Sequence, residues 1–137
     1  NNGSVKSAVD QLIEELAIMA EKEEIKSPDD YKKLKTNNSI NALAIRFNKV
    51  FPDFVVYAKK TNYEGDLLDK SSYIKMFDDC NYVIQKNMAV KMGDKTQRCL
   101  VIDIDKAKTT GLNIYGLLEA DESNAKFEND ELIIGNN

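Results

Sequence analysis

The stretch Ser4–Glu24, SVKSAVDQLIEELAIMAEKEE, decides how the rest of the chain is read. Val5, Ala8, Val9, Leu12, Ile13, Leu16, Ala17 and Ala20 recur at steps of three and four. That spacing predicts an amphipathic helix of roughly 20 residues, about 30 Å long, with one continuous apolar stripe. Lys6, Asp10, Gln11, Glu14, Glu15, Glu21 and Lys22 fall mostly on the opposite side, and Ile18 and Met19 widen the apolar arc near the end. A stripe of this kind must be buried against another layer. Val5, Val9, Leu12, Leu16 and Ala20 are the side chains expected to fix the helix onto a sheet.

Beyond this helix, Ser27-Pro28-Asp29-Asp30 carries a helix-start signal: a capping Ser, a Pro suited to the first helical position, and two carboxylates at the positive dipole end. A short helix over Pro28–Leu34 is expected, with Lys32-Lys33-Leu34-Lys35 as its solvated end. Ser39 then caps a helix carrying Ile40, Leu43, Ala44, Phe47, Val50 and Phe51, which Pro52 ends. From there the period changes to that of strands. Phe54–Ala58 and Tyr73–Phe77 are strand candidates, with a loop over Thr61–Ser72 between them. Tyr82–Ile84, Met88–Met92 and Cys99–Ile104 follow, with Gly93-Asp94-Lys95 as a tight turn. The near-continuous apolar run Cys99–Ile104 reads as a central strand under the long helix. Asp105–Gly116 reads as a loop, and Leu117-Leu118, Phe127 and Leu132–Ile134 as weaker strands. The expected class is therefore α+β: a long N-terminal helix packed on a small antiparallel β-sheet. Its parts are the long helix (1–26), a helical insert (27–52), and the sheet with its loops (53–137).

At 137 residues the chain is expected to form one domain. Charged residues make up 31%, aromatics 8%, Trp is absent and the formal charge is −4, a balance that argues against a nucleic-acid groove. There is no His, which removes the commonest general base and metal ligand. No apolar run approaches about 18 residues, so none of the sequence spans a bilayer. Because the helix begins almost at residue 1, a preceding segment is expected to have been cut away. Cys80 and Cys99 stand 19 positions apart. They are either two buried thiols or, in an oxidising compartment, a disulfide restricting the unfolded chain by roughly 3 kcal/mol.

Three features together resemble the soluble part of a type IV pilin or secretion pseudopilin, with the first half of its long helix removed. An amphipathic helix opens the chain, and a capped helical segment with Phe47-Asn48-Lys49-Val50-Phe51 follows. A hairpin then leads into Cys99-Leu100-Val101-Ile102-Asp103-Ile104-Asp105-Lys106. Ile102-Asp103-Ile104-Asp105 matches a closing strand of such proteins, Lys108 their basic residue, and Leu112-Asn113-Ile114-Tyr115-Gly116 their Asn-x-x-Gly end. Lys106 replaces a Gly of that pattern, its Pro is missing, and Leu117-Leu118 replaces its final Asp-x-Phe. The resemblance implies a non-enzymatic subunit of a surface filament or secretion pseudopilus, anchored in the inner membrane before assembly and then exposed at the cell surface. Its partners would be other copies of itself or related pilins, with no nucleic acid and no cofactor. The extracellular setting favours the Cys80–Cys99 disulfide, and flanks that read as neighbouring strands favour it too. The alternative is a soluble extracellular module that binds a protein or glycan through Thr61–Ser72 or Asp105–Gly116.

Candidate chemistry is sparse. Asp103 and Asp105, with Asp121 and Glu122, are possible calcium ligands, but the Gly and distal Glu of an EF-hand loop are missing. Strand-end solvation and turn capping are the preferred account of the two Asp, so no metal is assigned. Glu14/Glu15, Asp78/Asp79 and Asp103/Asp105 are carboxylate pairs of the kind a glycosidase uses, but 23 acidic residues make chance pairs common. No catalytic residue is assigned.

Overall fold

The computed structural model describes residues 6–123 and 131–132. Its class is α+β, with five helices and a sheet of four antiparallel strands flanked by a two-residue fifth. The order along the chain is α1 (Ala8–Glu21), β1 (Tyr31–Thr36), β2 (Asn41–Ile45), α2 (Phe47–Lys60), α3 (Lys70–Phe77), β3 (Val83–Met92), β4 (Lys95–Asp103), α4 (Ile104–Thr110), α5 (Tyr115–Ser123) and β5 (Glu131–Leu132). Across the sheet the order is β3-β4-β2-β1-β5, every pairing antiparallel except β5 beside β1.

Helix α1 begins where the sequence supplies a reciprocal cap. Ser7 Oγ accepts from the Asp10 amide at 3.1 Å, and the Asp10 carboxylate accepts from the Ser7 amide at 3.4 Å. Ala8, Val9, Leu12, Ile13, Leu16, Ala17, Met19 and Ala20 are buried, whereas Ile18 stays exposed. The helix is buried over more than one stripe because it meets neighbours on several sides. It packs against α5, α2 and α3 as well as over the sheet core. A Cβ on Gly116 of α5 would come 2.1 Å from the Ala17 carbonyl oxygen, so only glycine lets α5 lie this close to α1.

Residues 27–52 are not a helical insert. Tyr31–Thr36 pairs with Asn41–Ile45 as a hairpin, in register from Tyr31↔Ile45 to Lys35↔Asn41. The Asp30 carboxylate accepts from the Lys26 amide at 2.8 Å and the Asp30 amide bonds the Lys26 carbonyl at 2.7 Å, which makes 27–30 a turn rather than a helix start. Thr36 Oγ1 takes the amides of Asn38 and Ile40 at 3.2 and 3.1 Å, and Ser39 adopts φ 65°, closing the hairpin. The Lys32-Lys33 pair, expected in solvent, is buried in β1.

Helix α2 likewise departs from the reading that Pro52 ends a helix and Phe54–Ala58 starts a strand. It runs from Phe47 through Pro52 to Lys60. Proline removes one amide, and the carbonyl that amide would have met is that of exposed Asn48, where water can replace the bond. Tyr73–Phe77 is part of α3, Asp105–Gly116 contains α4, and Leu117-Leu118 lies in α5, so none of these forms a strand or plain loop. The β3–β4 hairpin and its turn at Gly93 (φ 71°) are as the sequence indicates, and β4 is central between β3 and β2. Leu132 falls in β5, while Phe127, Ile133 and Ile134 lie outside the described residues.

Alternation along the strands divides the core into two layers. Tyr31, Leu43, Ile45, Leu100 and Ile102 face the helices, and Leu34, Ala42, Ala44, Val90, Met92, Cys99 and Val101 form the cluster on the other face. Substituting Gly116→Ala is expected to destabilise the fold by on the order of 1–3 kcal/mol, because the added methyl meets helix backbone. Gly93→Ala, in open space at the hairpin tip, should cost only about 1 kcal/mol from its left-handed φ. Urea midpoints of the two variants check the contrast.

Candidate nucleic-acid interface

Three consecutive elements, α2, α3 and the β3–β4 hairpin, meet on the helix side of the sheet. Phe47 stands edge-on to Phe77 with ring centroids 5.1 Å apart, and Tyr73 stands edge-on to Phe51 at 5.9 Å and Phe54 at 6.2 Å. Tyr73 and Phe77, one turn apart, thus lock α3 onto α2. That geometry leaves Ser71 and Lys75 in solvent and Ile74 half-buried.

Residues 61–69, which join the two helices, are tied down at several points. Tyr63 stacks edge-on to Phe54 at 5.5 Å, and the Asp66 amide donates to Gln11 Oε1 at 2.9 Å. Tyr73 Oη donates to the Asp66 carbonyl at 2.8 Å and accepts from the Leu68 amide at 3.2 Å. Burial holds the Tyr73 hydroxyl above its ordinary pKa, so it keeps its proton and its role as donor. Asp69 caps α3 by accepting from the Ser72 amide at 2.9 Å and from Ser71 Oγ at 3.2 Å. The hydrogen bonds from Ser72 and Ser71 hold its carboxyl below the usual range.

The hairpin supplies the second arm. Ala89 pairs with Arg98 and Lys91 with Thr96, and these residues share the side of β4 that carries Leu100 and Ile102. Lys86, Asn87, Lys91, Lys95, Thr96 and Arg98 are all exposed. Lys86 Nζ donates to the Asp78 carboxylate, at the end of α3, at 2.9 Å, and Arg98 donates to the Asn87 carbonyl at 3.3 Å. Between α3 and the hairpin lies a cavity of about 180 Å³ lined by Phe47, Asn48, Ile74, Lys86, Asn87 and Arg98.

Charge is unevenly placed. Lys70–Arg98 contains six Lys or Arg against three Asp, whereas the remainder contains thirteen against twenty acidic residues. The net −4 therefore conceals two basic stretches: Lys70–Arg98, about a fifth of the chain, and Tyr31–Lys60, with seven Lys or Arg against Asp53 alone. Exposed Ser, Asn, Thr, Lys and Arg on one helix and one hairpin are the donor types that contact phosphate oxygens and base edges. The regional charge excess was readable from the sequence. The helix that presents part of it was not, because Tyr73–Phe77 read as a strand.

Residues singled out from the sequence are placed elsewhere. Val9, Leu12, Leu16 and Ala20 are buried in the helix-side core; Val5 lies outside the described residues. The expected Cys80–Cys99 disulfide is not formed, and both thiols are free. Cys80 packs against the helix-side core and Cys99 belongs to the cluster on the other face of the sheet, so the layer itself separates them. Asp103 caps α4 by accepting from the Lys106 amide at 3.0 Å, and Asp105 accepts from Asn41 Nδ2 at 3.4 Å. The side chains of Asp121 and Glu122 lie outside the described residues. Among the described residues no group of three or more His, Cys, Asp or Glu side chains is arranged to hold a metal ion, and no helix is long and apolar enough to cross a membrane. Of the carboxylate pairs, Glu14 is taken up by Lys6 and the Asn113 amide, and Asp78 by Lys86.

A cavity of about 310 Å³ near the start of α1 is lined by Asp10, Cys80 and Tyr82 among others. Tyr82 Oη donates to Asp10 Oδ1 at 2.6 Å. Burial raises the Tyr82 and Cys80 pKa values, so the site holds protonated groups rather than an activated nucleophile. Burial also pushes the Cys99 thiol up to about 11, against the opposing effect of Arg46 and Lys32. At neutral pH both thiols should therefore alkylate slowly, Cys80 ahead of Cys99, and reductant should leave the native mass unchanged. Timed iodoacetamide labelling followed by intact-mass measurement checks this. Compared with known protein families, curated proteins and solved structures, the chain has no significant match.

Proposed function

We propose that this chain is a nucleic-acid-binding module that docks through α3 and the β3–β4 hairpin. One observation carries the reading: two helices held together through aromatic rings run directly into a hairpin, and α3 with that hairpin, Lys70–Arg98, carries six Lys or Arg against three Asp in a chain of net −4. Two helices in sequence, the second presented to solvent, form the arrangement that places a helix in the major groove. Eight residues give α3 a length of about 12 Å, and the diameter of an α-helix, about 10–12 Å with side chains, fits a major groove about 12 Å wide. The connection between the helices is longer than the 3–4 residues usual for that motif, but Tyr63, Asp66 and Asp69 hold it in place. In this reading Lys75 and Ser71 face the groove, and Lys86, Lys91 and Arg98 meet phosphates beside it. The chain contributes binding and no chemistry of its own.

The filament reading is supported less well. Its helical segment 27–52 is mostly a β-hairpin, and its closing-strand motif Ile102–Lys106 is a strand end followed by the capped start of α4. What still favours it is the burial of α1 over the sheet core. Assembly of the purified chain into fibres under electron microscopy would be the sign that reading requires.

Fluorescence anisotropy with a labelled duplex of mixed sequence tests the nucleic-acid proposal. Binding should weaken as salt rises, with a log–log slope of roughly −0.9 per phosphate contacted. The pair Lys91→Glu and Arg98→Glu should lower affinity by about tenfold or more and make the slope shallower by about 2. Lys59→Glu, roughly 16 Å along α2 from Asn48, should change neither. Failure of the wild-type chain to bind duplex or single strand at about 50 mM salt would end the proposal.

A further inference from the structure

The cavity at the junction of the two arms carries the binding reading one step further, and the inference rests on that reading. We infer that it receives a single unstacked base, so that the module's preferred ligand is a single strand or an unpaired stretch rather than an intact duplex. Its volume, about 180 Å³, is below the roughly 300–1,000 Å³ of pockets for drug-sized ligands, which limits an occupant to a small group such as one base. The walls are of two kinds. Phe47, Ile74 and Leu100 give it an apolar floor, with Cys99 alongside. Asn48 and Asn87 stand at the rim as amides that can both donate to and accept from a base edge. Lys86 and Arg98, also on the rim, place two cations where the phosphates flanking an inserted base must lie.

A base paired inside a helix cannot reach such a recess without leaving its stack, and extrusion from an intact duplex costs a few kcal/mol that a single strand does not incur. The same surface would therefore bind both forms through charge but only the unpaired form through the cavity. Apolar floor, amide rim and flanking cations are contributed by α2, α3, β3 and β4, so the recess exists only because those elements are packed together. The neighbouring ion pair Lys86–Asp78 is exposed and available for exchange with a phosphate.

The experiment compares an oligothymidine of about 20 nucleotides, a blunt duplex of the same length, and that duplex with one unpaired thymidine. Wild-type protein should bind the single strand and the bulged duplex about tenfold or more tighter than the blunt duplex. Ile74→Trp, which fills the recess from a half-buried position, should remove that preference, bringing single-strand and bulged-duplex affinity down to that for the blunt duplex. Asn87→Ala, an exposed change that does not disturb packing, should narrow the preference in the same direction and serves if the Trp variant fails to fold. Equal wild-type affinity for all three ligands overturns this inference while leaving the duplex reading standing. So does an equal loss on all three in both variants. Binding to none of them overturns the parent reading as well.

Discussion

The pairing of Ala42–Ile45 with Leu100–Asp103 holds the molecule together. Both strands are buried on both faces, and neither is at an edge. Their ladder joins two hairpins formed from distant parts of the chain: β1–β2 near the beginning and β3–β4 some fifty residues later. Everything between them, α2 and α3, must then close a loop on one side of the sheet. That side is also where Leu43, Ile45, Leu100 and Ile102 offer an apolar floor, so the helices cover it and α1 and α5 complete the layer. The geometry of the candidate interface follows. Because β4 is pinned to β2 at Leu100, the more distal part of the hairpin, from Arg98 to Lys95, extends past the helices with its cations in water.

A second link orients the hairpin from its other strand. Tyr82 precedes β3 and is buried, and its hydroxyl donates to Asp10, the carboxylate that also closes the cap of α1. The amide of Asp103 bonds the Tyr82 carbonyl at 2.8 Å, while the Asp103 side chain starts α4. One short segment thus ties the start of α1, the start of β3 and the end of β4. A buried tyrosine with a charged acceptor is costly to break, because either partner alone would be left unsatisfied. The base of the hairpin is consequently fixed, while Lys91 and Arg98 farther along it stay exposed.

Legibility of the sequence followed the range of the forces involved. Helix α1 and the β3–β4 hairpin were readable because their patterns are local: a reciprocal cap with three-and-four spacing, and alternating strands around Gly93. The α+β class followed from them. Strand β1 was hidden because YKKLKT carries three lysines, two of which are buried by contacts that no local rule supplies. Asn41–Ile45 sits in a sequence whose apolar spacing suits a helix; what makes it a strand is the partner Leu100–Asp103, far away in the chain. Pro52 misled because one lost bond at an exposed turn is cheaper than losing the packing of Phe54 and Tyr57, both buried. The expected disulfide failed for a related reason: spacing gives a loop length but not the side of the sheet on which each cysteine lies. At the candidate interface, net charge concealed what its distribution reveals: Lys91 and Arg98 read as ordinary strand residues, and Lys86 fell between two strand candidates.

The placement of charge also separates stability from binding. The cations of the hairpin contribute little to the fold: they are exposed, and the ion pair Lys86–Asp78 is of a kind worth about 0–1 kcal/mol. Cohesion comes instead from aromatic and aliphatic side chains one layer below, among them Phe47, Phe77, Leu100 and Ile102. A surface whose charges are held only by exposed contacts can exchange them for phosphates without loosening the core. The acidic excess is concentrated in residues 6–30 and 99–137, each with eight Asp or Glu against three Lys or Arg, and it disfavours approach of a polyanion there. A chain of net −4 is thereby compatible with nucleic-acid binding, provided that contact is confined to α3, the hairpin and the recess between them.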